Sequence, residues 1–231
     1  MNVHNYVSGN GHQYSANQAW NAADPTLRDR WDGLVQNNGA TWRRHFRGYS
    51  DSQLQSVPKV TTETGWDSVG NPGGQHTQGT ILTNVYLAQF KRGWRYTFVY
   101  EMRDGEGGGG NQGLYHGSMP KLAAMYIHNL TTILSDRDAL PEPSSLKYVV
   151  SHAPNTVHDL LLQKSTGQFE LVIWDERVSG EDNVSVDLGE VHRNLNVYDV
   201  TAGTTPVQTL ANVKSVPLVL SDHAVILEIS R

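Results

Sequence analysis

The chain has 231 residues, 38% of them hydrophobic, with 18 basic and 23 acidic side chains for a formal net charge of -5, which fits a globular protein of one large or two small domains. The absence of cysteine excludes disulfides, thiolate catalysis and Cys-based zinc sites, and the lack of basic clusters argues against nucleic acid as a partner. No stretch of about 18 apolar residues is present, so no segment is expected to span a membrane, and the residues after Met1 lack the basic and apolar regions of a signal peptide.

Up to about Asp138, short apolar strands alternate with helix-length amphipathic segments, the signature of βα units and a parallel sheet. Asn2-Val3-His4 is the first candidate strand. A Gly/Asn/Ser-rich loop leads to Asp24-Pro25, an N-cap followed by proline at the first helical position. The helix it opens places Leu27, Trp31, Leu34 and Val35 on one face. Pro58 to Thr62 is a second strand ending at Glu63. A helix from about Gln78 to Phe90 follows, with Leu82, Val85, Tyr86 and Phe90 expected inward. Tyr96 to Tyr100 is the third strand, and after a Gly-rich loop a helix from about Lys121 to Leu134 is expected to bury Leu122, Met125, Leu130 and Leu134.

Residues 139–145, with two prolines and two serines, form a linker between residues 1–138 and 146–231. Beyond it the helical period disappears. Strands are predicted at Tyr148–His152, Val157–Gln163, Phe169–Asp175, Val184–Leu188, Leu195–Asp199, Val207–Leu210 and Ala224–Ile229. Their regular spacing predicts an antiparallel β-sandwich. The expected fold is thus α/β plus all-β, a partial (β/α) barrel followed by a sandwich.

In a (β/α) barrel, residues at the C-terminal ends of the strands line the active site. The first strand offers His4 and Tyr6, the second Glu63 and Trp66, and the third Tyr100, Glu101 and Asp104. Carboxylates combined with aromatic rings are what glycosidic bond cleavage requires: one carboxylate attacks the anomeric carbon, another protonates the leaving oxygen, and flat rings stack on sugar faces.

Val60-Thr-Thr-Glu63-Thr-Gly-Trp66 resembles the strand-seven nucleophile motif of clan-A glycoside hydrolases, the retaining (β/α)8 enzymes that include cellulases and β-xylosidases. Asn2-Val-His4-Asn-Tyr6 is similar to their strand-six segment, and Tyr96 to Asp104 resembles their eighth strand. Gln112 to His116 and Pro120 to Ala124 look like the approach to their last helix, and the sandwich resembles the one appended in several such families. The resemblance implies Glu63 as nucleophile, His4 and Tyr6 as residues that orient it or bond substrate, Tyr100 and Glu101 as substrate-contacting positions, and Trp66 as a subsite wall. It also implies a carbohydrate substrate and a cofactor-free reaction. The parent family is often secreted, and the compartment of this chain stays open.

Clan-A enzymes carry their acid/base on an Asn-Glu pair at strand four, and no such pair occurs in this sequence. The proton donor must then be Glu101, Asp104, Glu106 or a carboxylate of a partner chain, with Glu63 and Glu101 the first pair to consider. Three parallel strands leave two unpaired edges and an apolar face, so a homo-oligomer that completes the open barrel is expected. The alternative is a non-catalytic carbohydrate-binding or structural remnant.

Other motifs are weaker. Residues 106–110 do not form a phosphate loop, because no Lys-Ser/Thr follows. His4, His12, His45, His76 and His116 lack metal-ligand spacing. Ser151, His152 and Asp159 have no G-x-S-x-G context for a hydrolytic serine. Asn129-Leu-Thr131 and Asn183-Val-Ser185 match glycosylation sequons, a common chance occurrence.

Overall fold

The computed structural model describes residues 1–7, 15–27, 46–69, 73–108, 110–138 and 142–230. The helix predicted around Trp31 lies outside these residues, as do His12 and His45. The chain divides into two compact units, Met1–Ala124 and Met125–Arg231.

The first unit is built on a parallel sheet of β1 (Asn2–His4), β2 (Lys59–Glu63) and β3 (Trp94–Thr97), in the order β1-β2-β3. Helices α1 (Gln18–Ala22) and α2 (Asp51–Ser56) fall between β1 and β2, and α3 (Gly74–Lys91) between β2 and β3. Helix α2 starts on a capping box, in which Ser50 and Gln53 exchange side-chain and backbone bonds; this satisfies two donors that every helix start leaves unpaired. The ladder of β3 runs on past Thr97, because Phe98 N donates to Thr61 O, Thr64 N to Phe98 O and Tyr100 N to Thr64 O.

The two faces of this sheet differ. Val3, Thr61 and Trp94 are buried, and Thr97 on the same face bonds Gln89 of α3. Buried Lys59 sends its ammonium to the carbonyls of Gln55 and Val57, at 2.7 and 3.4 Å, and burial lowers its pKa. The opposite face carries Asn2, Val60, Thr62 and Tyr96, aligned by the pairings Asn2 with Val60 and Val60 with Tyr96. Tyr96 is 62% exposed and Phe98 56%.

Helix α3 is buried along nearly its whole length, polar residues included: Thr77 to Val85 are all shielded. Thr80 and Thr83 meet this by donating back to carbonyls of their own helix, as hydroxyls in buried helices do. Leu82 and Val85 are inward as expected, but Phe90 is 61% exposed. Helix α4 (Leu122–Ile133) buries Ala123, Tyr126, Leu130 and Ile133, whereas Met125, expected inward, faces solvent. The division between the units falls within α4, whose later half is tied to the second: Asn129 Nδ2 donates to Val200 O at 2.9 Å, and Lys164 Nζ to Ile133 O at 2.7 Å.

The second unit is a six-stranded antiparallel sheet of β6 (Val149–Ser151), β7 (Val157–Gln163), β8 (Phe169–Asp175), β9 (Asp182–Asp199), β10 (Gln208–Leu220) and β11 (Ala224–Ile229). The two strands predicted at Val184–Leu188 and Leu195–Asp199 are one, because β10 pairs with both halves of β9. On its other edge β9 pairs first with β6 and then with β11. Gly189, at φ +76, takes the bend between the halves, a conformation that costs glycine little. The inward residues switch from Val184, Val186 and Leu188 to Leu195 and Val197, and both sets join Leu171, Ile173, Leu218 and Leu227 in one core. The sheet therefore folds over its own apolar side, as a sandwich does. The first unit also holds a short hairpin, β4 (Tyr115–His116) and β5 (Met119–Pro120).

Candidate active site

The C-terminal ends of β1 and β2 bring His4, Tyr6 and Glu63 together. Glu63 Oε2 accepts the Tyr6 hydroxyl at 3.1 Å and stands 3.1 Å from His4 Nδ1. Oε1 makes no hydrogen bond among the described residues, and the side chain is one-third exposed. The Thr61 hydroxyl ties the strand ends to each other, accepting from Asn5 N at 2.9 Å and donating to Glu63 O at 2.6 Å. Asn5 is fully buried and anchors the exit of β1 to α1 through Ala22 O, at 3.1 Å. Burial, followed by the charge and hydrogen bond of Glu63, pushes the Tyr6 phenol well above its ordinary range. It stays a donor to Glu63 at any ordinary pH.

The loop after β2 is locked to the loop after β3. Gln78 of α3 donates from Nε2 to Trp66 O, Gln112 O and Gly113 O, at 2.9, 3.0 and 3.2 Å. Ser68 Oγ and Lys121 Nζ both donate to Asn111 O, at 3.1 and 2.8 Å. A Cβ at Gly65 would collide with the Tyr100 carbonyl, so this crossing of the two loops needs glycine. Trp66, expected as a subsite wall, is 2% exposed. Its ring fills the interior and offers no face to solvent.

Beyond β3, the Tyr100–Glu101 peptide is cis. Glu101 is buried, and neither carboxylate oxygen forms a well-shaped hydrogen bond among the described residues. Burial pushes its pKa up; the Gly105 amide opposes the rise, and the charges of Glu106 and Asp104 add to it. The backbone here is tied to the later chain by bonds from Leu114 N to Glu101 O and from Tyr115 N to Met102 O. No hydrogen bond or ion pair joins Glu101 to Glu63 among the described residues, yet Tyr6 and Tyr100 each sense the charge of both.

Asp104 is engaged as a latch. It takes Lys121 Nζ and Gly113 N on Oδ1, each at 2.9 Å, and His116 Nδ1 on Oδ2 at 3.1 Å. Burial tends to raise its pKa, but the bonds from Lys121 and His116 prevail and hold it below the usual carboxylate range. It is an anion at neutral pH and has no proton to give. Glu106 is exposed beside Arg103, 3.6 Å away. Among the described residues no three His, Asp or Glu side chains are grouped to hold a metal, and no helix is long and apolar enough to cross a membrane.

No protein-family model matches this chain, and no curated protein does. A solved structure of a family 39 glycoside hydrolase from the gut symbiont Bacteroides cellulosilyticus WH2 is similar over 99% of this chain, with TM-score 0.60 and 13% identity. A GH51 arabinofuranosidase from Xanthomonas axonopodis pv. citri is similar over 78%, with TM-score 0.47 and 15% identity, of which this chain covers 43%. The chain spans 44% of the length of the family 39 protein. Its fold is therefore glycoside-hydrolase-like, mixed α/β with a separate antiparallel sheet.

Proposed function

We propose that this chain carries the nucleophile of a retaining glycosidase acting on β-linked sugars, on a partial (β/α) barrel. The observation that carries the reading is the unequal treatment of the two oxygens of Glu63. Oε2 is held by Tyr6 and His4, while Oε1 has no bond among the described residues. A carboxylate fixed in this way can attack an anomeric carbon through Oε1 as the bond to the leaving oxygen breaks and that oxygen takes a proton. Water then cleaves the glycosyl ester and restores the free carboxylate.

Glu101 is the proposed proton donor. Burial raises the pKa of Glu101, the direction that suits a general acid. To serve, it must come within roughly 5–5.5 Å of Glu63. Its burial also supports a second reading, a carbohydrate-binding site without turnover, since Asp104 is held ionised and Glu106 points to solvent. We further propose that the uncovered sheet face draws chains together into a homo-oligomer.

A panel of aryl β-glycosides separates the two functional readings. Turnover that Glu63→Ala abolishes and azide partly restores supports the nucleophile. Sugar binding without turnover on any member of the panel supports the binding site.

A further inference from the structure

The geometry points to Gln112 as a substrate-binding residue that grips two adjacent hydroxyls of the sugar attacked by Glu63. This rests on the reading of Glu63 as the nucleophile of a sugar-cleaving site.

The backbone of Gln112 is fixed on every side. Its carbonyl takes Gln78 Nε2, the preceding Asn111 carbonyl takes Ser68 and Lys121, and the following Gly113 amide donates to Asp104. Four residues from three parts of the chain thus hold in place one residue whose own carboxamide makes no hydrogen bond among the described residues. That carboxamide stands over Gly65. Its Oε1 is 2.6 Å from the point a Cβ on Gly65 would occupy, and the Tyr6 ring is 3.3 Å from that same point. Because the Tyr6 hydroxyl bonds Glu63, the approach of both side chains to Gly65 places the carboxamide at the same strand ends as the phenol and the carboxylate.

A carboxamide presents one acceptor and two donors in a plane, and neighbouring sugar hydroxyls can each give and take a hydrogen bond. A half-buried amide with no partner among the described residues is a group whose bonds a ligand can complete. Were Gln112 only a plug over Gly65, a leucine of similar size would serve as well.

The test uses the full chain with 4-nitrophenyl β-glycosides of common hexoses and pentoses and their singly deoxygenated analogues. Gln112→Leu is expected to lower kcat/KM about 3- to 10-fold on the parent glycoside, the worth of an uncharged hydrogen bond. The effect should shrink on the two analogues that each lack one of the hydroxyls it holds and stay whole on the others. Gln112→Glu, which keeps an acceptor but loses both donors, should fall between the wild type and Gln112→Leu. Equal changes on every analogue, with wild-type turnover intact, overturn the assignment and leave the reading of Glu63 standing. If the wild type binds these glycosides without cleaving them, Kd from saturation-transfer NMR replaces kcat/KM: a selective loss supports Gln112, and equal changes overturn it. If it neither cleaves nor binds them, the sugar site itself falls, and Gln112 with it.

Discussion

At the end of β2, a single carboxylate has both its neighbours on one oxygen, the donating Tyr6 hydroxyl and the His4 imidazole, and none on the other among the described residues. Tyr6 and His4 come from the end of β1 and the chain just beyond it, and the bonds through Thr61 and Asn5 fix that exit relative to Glu63. The arrangement orients Glu63 by protein contacts alone, before any ligand arrives, which is how binding geometry becomes rate. A hydrogen bond to a charged group contributes about 1.5–3 kcal/mol, so Tyr6→Phe should lower kcat by about 10- to 100-fold. Far-ultraviolet circular dichroism should be unchanged, and wild-type turnover in the variant would show that the phenol does not position Glu63 for the proposed reaction. The convergence of His4, Tyr6 and Glu63 was legible in the sequence, because strand ends of successive βα units share one side of a sheet. Gln78, Lys121 and Gln112 were not. The first two act on backbone carbonyls of loops far along the chain, and no pattern in their own surroundings signals that reach. Trp66 was misplaced for a related reason: aromatic rings serve cores and sugar faces alike.

At the scale of elements, the ends of α3 and α4 were readable to within a few residues, but their buried faces were not. Apolar periodicity assumes one wet face, and α3 has almost none, so its threonines, Gln78, Gln89 and Asn84 are buried beside its leucines. Helix α2 left a different trace, the Ser50–Gln53 capping pair, with Leu54 as its one buried residue. Strand β9 looked like two strands because its inward residues change parity across Gly189. The turn between β10 and β11 holds a cluster with the outline of a hydrolytic triad. His223 Nδ1 lies 3.0 Å from Ser221 Oγ, and its Nε2 lies 3.3 Å from Asp199 Oδ1. Burial tends to lower the pKa of His223, but the bonds from Asp199 and Asp222 prevail and raise it to about 9. The imidazole is already protonated at pH 7 and cannot take a proton from Ser221. It is a clamp joining the turn to the end of β9. Because its folded pKa lies above the unfolded value of 6.5, its stabilisation is complete below pH 6.5 and is lost as pH rises through about 9. His223→Gln should cost up to about 3 kcal/mol below pH 6.5 and remove that alkaline loss. Urea unfolding from pH 5 to pH 10 checks both, and an alkaline loss that persists unchanged in the variant would assign it to another group.

For the whole molecule, the contrast lies between two sheets that treat their apolar faces differently. The antiparallel sheet folds over its own side at Gly189 and buries it. Three parallel strands are too few to close on themselves, and among the described residues helices cover only one face of the sheet. Parallel sheets are ordinarily covered on both, and an unpaired strand edge is a template for another chain. Here the uncovered face shows Tyr96 and Phe98, with ring centroids 6.3 Å apart, beside Val60. Two such side chains fall well short of the roughly 800 Å² per partner typical of a stable interface, so edge pairing must add to face packing. Weak, concentration-dependent self-association follows. Size-exclusion chromatography with light scattering should give a mass that rises with protein concentration, and Tyr96→Lys with Phe98→Lys should shift it toward the monomer. A clean monomer over the whole range would mean that this face needs no second copy, and the homo-oligomer would be discarded. If the double variant associates as readily as the wild type, the contact is elsewhere, and the open face is no part of it.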